Sequence, residues 1–124
     1  MNVKSIKVLA MLLTLAAPLT LLNEANAADT EAGLVAIRSL GSLNGQALAC
    51  SEKPSAAWAK SLMLAHAPKT ARFGAAYAEA THAAYLEQTR STVACPDAKS
   101  LTARLNELAS QLRETLPVAS TDAK

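Results

Sequence analysis

Valine, isoleucine, phenylalanine and tryptophan are scarce in this sequence, and no stretch alternates β-branched with polar residues at a period of two. A sheet of half-buried strands is therefore excluded. The chain also has no H-E-x-x-H, no C-x-x-C or C-x-x-C-H, no glycine-rich phosphate loop and no G-x-S-x-G turn. These absences remove the sequence grounds for a zinc hydrolase, a thiol oxidoreductase, a c-type haem protein, a nucleotide-phosphate binder and a serine hydrolase of the α/β type. Acidic residues such as Asp29, Glu31, Asp97 and Glu107 stand singly, in helix caps or on expected solvent faces. General acid–base work needs polar groups converging in a cleft, so no catalytic residue and no cofactor are expected. Basic residues are scattered and the net charge is only +2, which argues against a nucleic-acid partner.

What is present begins with an address. Lys4 and Lys7 precede an apolar run from Val8 to Leu22, and Ala25-Asn26-Ala27 follows. Positive charge, apolar core and a small-x-small site are the order of a cleaved secretory signal peptide. Residues 1–27 are assigned to it, with cleavage after Ala27. An apolar run of this length falls short of the ~20 residues that cross a bilayer, so no stable membrane insertion is expected after cleavage. The first cysteine, Cys50, lies too late for a lipid anchor. The expected location is periplasmic or secreted. Loss of Lys4, Lys7 and Glu24 with the leader takes the net charge from +2 to +1.

The remainder is rich in alanine and other good helix formers, and Pro54, Pro68, Pro96 and Pro117 cut it into segments. Proline fits the first turn of a helix or lies beyond its end. The reading is an all-α, small antiparallel four-helix up-down bundle over 28–116, closed by one disulfide, with 117–124 as a flexible tail. Helix 1 is expected over Thr30–Ala49, capped by Asp29 or Thr30, with Ala36, Leu40, Leu43, Ala47 and Cys50 on its inner stripe and Ile37 at the border. Gly41 and Gly45, one turn apart, mark a close helix–helix contact. Helix 2 is expected over Pro54–Ala67, with Trp58, Leu62 and Ala65 inside. Helix 3 is expected over Thr70–Val93, with Phe73, Tyr77, Ala80 and Ala84 inside and Tyr85 beside them. Helix 4 follows an Asp97 cap, and Leu101, Leu105, Leu108, Leu112 and Leu116 give the clearest amphipathic pattern of the chain. Short connections make consecutive helices antiparallel neighbours. Because each alanine buries little area, helices must approach closely, and the core leaves a thin margin over chain entropy.

Cys50 and Cys95 fall at the same end of such a bundle, and in an exported chain they are expected to form an intrachain disulfide. A loop of 45 positions gives roughly 3–4 kcal/mol in the chain-entropy treatment. Two weaker constellations remain. His66, His82 and Met63 are the candidate ligands for a soft metal such as copper. Lys69, Thr70 and Arg72 gather at the start of helix 3, where a helix N-terminus with basic side chains attracts anions or a partner. The expected function is a non-enzymatic exported bundle that binds another envelope protein, as an accessory, chaperone-like or inhibitor/immunity factor. The alternative is a small-ligand or metal-binding periplasmic protein.

Overall fold

A computed structural model describes residues 20–118, with side chains described from Glu31 onward. Most of 1–27, the expected signal peptide, and of 117–124, the expected tail, lies outside the described residues. The described chain is all-helical: α1 Thr20–Ala49, α2 Lys53–His66, α3 Ala71–Arg90 and α4 Ala98–Thr115.

The start of α1 differs from expectation. The helix does not begin at a cap on Asp29 or Thr30 but is already helical at Thr20. Residues 20–30 hold no proline or glycine, and leucine, alanine and glutamate carry the helix through the anticipated boundary. Its other end is a Schellman turn. The Glu52 amide donates to the Ala47 carbonyl at 2.8 Å and the Ser51 amide to Leu48 at 3.3 Å. Ser51 stands at φ 57°, the left-handed region usually given to glycine. Pro54 occupies the first turn of α2. Thr70 and Asp97 cap α3 and α4 through Phe73 N (3.5 Å) and Ser100 N (2.7 Å). Hydrogen bonds from the Ser100 amide and side chain hold the Asp97 carboxyl below its usual pKa. α3 stops at Arg90 rather than Val93, because local bonds take over: Val93 N donates to Ser91 Oγ and Gln88 Nε2 to the Val93 carbonyl. Such side-chain bonds offer the backbone an alternative to the helix ladder.

The core is leucine-rich on two helices and alanine-rich on the rest. Leu34, Ile37, Leu40, Leu101, Leu105 and Leu112 are fully buried. α4 buries the leucines read from its periodicity, with Leu116 half-buried at the end. On α2 the inner face is Ser55, Ala56 and Ala59. Trp58 and Leu62 are half-buried and Ala65 is exposed, so the helix is rotated to turn its smallest residues inward. On α3 only Phe73 and Ala76 are fully enclosed.

α1 is the shared axis. It packs against α2, α3 and α4, and α2 also touches α4. The expectation that all consecutive helices pack as neighbours is not met: neither α2–α3 nor α3–α4 forms a packed face. The reason lies at Gly41 and Gly45. A Cβ at Gly41 would sit 2.5 Å from the Tyr77 carbonyl and 2.9 Å from Ala80 Cβ. One at Gly45 would strike the Thr81 carbonyl and come within 2.9 Å of Ala84 Cβ. The bare backbone of α1 thus seats α3 directly on it, away from α2 and α4. Contacts climb the two helices in the same order, from Glu31–Arg72 through Asn44–Thr81 to the Cys50–Cys95 disulfide. Between α1 and α4 the order is opposite, from Gly33 against Leu116 to Gln46 against Arg104.

Candidate functional site

Because α3 sits on α1 and not on α2, a groove runs between α2 and α3. The left-handed Ser51 turn sends α2 back along α1 and forms one wall; Asn44 and Leu48 of α1 supply the floor. One hollow of about 330 Å³ is lined by these two with Ala56, Ala57, Lys60 and Tyr77. A second, of about 310 Å³, is lined by Met63 and Leu64, the turn residues Ala67 to Thr70, and Gly74. Lys60 and Leu64 lie four residues apart on α2, and Gly74 and Tyr77 three apart on α3, spacings that share a helix face. The two hollows therefore lie in file along the facing sides of α2 and α3. The lining of the groove presents two exposed leucines: Leu48 is 49% exposed and Leu64 60%. Gly74 contributes nothing to fill it, since a Cβ there would meet no atom within 4 Å.

Two polar features stand out. The Tyr77 hydroxyl is buried without a hydrogen-bond partner, and this burial pushes its pKa up. Lys69 Nζ donates to the Leu64 carbonyl at 2.7 Å, covering an open carbonyl at the end of α2.

The residues singled out in the sequence are distributed as follows. Cys50 and Cys95 are joined, with Cα atoms 5.7 Å apart. His66 Nδ1 lies 2.7 Å from the Leu116 carbonyl; a carbonyl only accepts, so Nδ1 donates. His82 is exposed on α3, twelve positions or about 18 Å along the helix from the Thr70 cap. Met63 lines the groove and not a site shared with His82. Among the described residues no group of three or more His, Cys, Asp or Glu is placed to hold a metal. Lys69, Thr70 and Arg72 are each engaged within the chain: Lys69 on Leu64, Thr70 as the α3 cap, and Arg72 in an exposed pair with Glu31 at 3.2 Å.

Another hollow, about 280 Å³, lies between α1 and α4 and is lined by Ser39, Ser42, Leu43, Arg104, Glu107, Leu108 and Gln111. Arg104, Glu107 and Gln111 are exposed, and Arg104 already bonds Gln46 at 2.9 Å. It is a polar seam between packed helices, whereas the α2–α3 groove marks a face that no helix among the described residues fills. Sequence periodicity gave no direct sign of that groove. The available signals were Leu48 and Leu64, apolar residues off the inner stripes of their helices. Among the described residues no helix is long and apolar enough to cross a membrane. No family model, no curated protein and no solved structure matches the chain.

Proposed function

We propose that the protein is exported, loses residues 1–27, and works in the periplasm or outside the cell as a non-enzymatic helical bundle that binds another envelope protein. An up-down course of the four helices belongs to this reading: it accords with the opposite order of contacts along α1 and α4 and the common order along α1 and α3. The observation that carries the proposal is the α2–α3 groove with Leu48 and Leu64 exposed in its lining. Contiguous exposed apolar surface marks interaction sites in soluble proteins, and an oxidised disulfide suits an oxidising compartment.

Two measurements test it. Intact mass under non-reducing conditions should give a chain that begins at Ala28 and lacks two hydrogens. A tagged chain should co-purify an envelope protein, and Leu64→Asp should lose that protein with little change in Tm, because Leu64 is exposed. A partner retained by Leu64→Asp would move the site off the groove. Uncut product with free thiols would end the export reading.

A further inference from the structure

We infer that the α2–α3 groove receives an amphipathic helical segment of its partner, apolar on the face that enters and acidic on the flank that meets Lys60 and Lys69. The inference rests on the protein-binding reading above and names the chemistry of the partner at that same groove.

Length is the first ground. From Ala56 to Ala67 the α2 wall spans about 16 Å, or three turns of helix. A helical segment of that length would lie beside α2 and α3, where none of the described helices lies. An apolar strip at i, i+3, i+4 and i+7 is what such a groove selects. Charge is the second ground. The residues lining both hollows include two lysines and no aspartate or glutamate. Among the described residues the one ion pair is Arg72–Glu31, between α3 and α1, which leaves Lys60 and Lys69 without a carboxylate. Lys69 spends one proton on the Leu64 carbonyl and keeps two more to donate. Lys60 stands on α2 and the Lys69 ammonium is drawn back to its end at the Leu64 carbonyl, so both cations flank the same wall and the matching acids stand on one flank of the incoming helix. Shape is the third ground. Leu48 lies on the floor and the lysines on a wall and at one end, so the apolar surface is concave. A lipid surface is met by a convex amphipathic face, and a groove between helices suits a narrow rod.

The test places a photo-crosslinking benzophenone residue at Ala57, inside the groove, and separately at Val35, exposed on α1 outside it. Both are made in the full chain in the producing cells, and the crosslinked peptide is sequenced. The expected result is one partner segment captured from Ala57, with apolar residues at helical spacing and at least two flanking Asp or Glu. Binding of that segment as a synthetic peptide should weaken in Lys60→Glu at unchanged Tm, fall about tenfold in Lys60→Glu/Lys69→Glu with a small loss of Tm from the broken Lys69–Leu64 bond, and weaken with added salt. A basic or uncharged segment, or one indifferent to the charge reversal, overturns this inference and leaves the protein-binding reading standing. Lipid or a second copy of the chain captured from Ala57 overturns it also. A partner captured only from Val35 moves the site elsewhere, and no protein captured at either position sinks both readings.

Discussion

α1 presents two different faces to its neighbours. Toward α4 it meets Leu101, Leu105, Leu108 and Leu112, all buried; toward α3 it offers Gly41 and Gly45 to the backbone of Tyr77, Thr81 and Tyr85. The first face is held by area: each enclosed leucine contributes about 1.5–3 kcal/mol. The second buries few large side chains and is held by proximity, many weak dispersion contacts over a close approach, with ties added at intervals. Those ties are the Glu31–Arg72 pair, the Asn44–Thr81 bond at 3.3 Å and the disulfide. A face held by area suffers when atoms are removed. A face held by proximity suffers when atoms are added.

The largest effect should come from subtracting from the leucine face. Leu105→Ala should lower the unfolding free energy by about 2–5 kcal/mol in urea titration. A loss under about 1 kcal/mol would mean that α4 is not held by burial. Adding to the other face is the next test. Gly45→Ala gains about 1 kcal/mol of helix propensity, yet its methyl meets backbone that cannot rotate away. The net outcome should be destabilisation of about 1–2 kcal/mol, the overpacking penalty winning. If Gly45→Ala stabilises instead, α3 does not need the close approach.

A third change sharpens the comparison at Tyr77, whose hydroxyl lies orphaned where α3 borders the groove. Tyr77→Phe should raise stability by about 1 kcal/mol near neutral pH, since a buried donor without a partner is removed. Its raised pKa in the folded chain fixes the sign of a pH effect. Stability from the neutral phenol is intact below the unfolded value near 10 and is lost as pH rises through the folded one. Tyr77→Phe should therefore flatten the alkaline part of the stability profile. Identical profiles for the two proteins would refute that role. The smallest effect is expected at Gly74, an exposed glycine of α3 with open space around it. Gly74→Ala should stabilise by about 0.5–1 kcal/mol by thermal melting, opposite in sign to Gly45→Ala.

Much of this architecture was legible in the sequence where one period repeats without competition. The leucines of α4, its Asp97 cap and the cysteine pairing are of that kind. Gly41 and Gly45 announced a close contact but not its partner, because the choice of α3 over α2 depends on surfaces distant in sequence. The start of α1 was misread because Asp29 and Thr30 resemble a cap while nothing before them stops a helix. Ser51 could not be foreseen in a left-handed turn, which serine marks far less clearly than glycine. His66 invited a metal, and its nearest bond runs instead to a carbonyl 50 residues away. The groove was hidden for the same reason: it arises from a packing that does not occur, and no periodicity records that.

The disulfide also makes a closed covalent ring. Residues 51–94, with the whole of α2 and α3 and therefore both sides of the groove, lie inside it, while α4 hangs outside. A protease that severs the exposed turn after Lys69 opens the ring without parting the pieces. Such nicked protein migrates as one species until a reductant is added, and only then separates into two fragments.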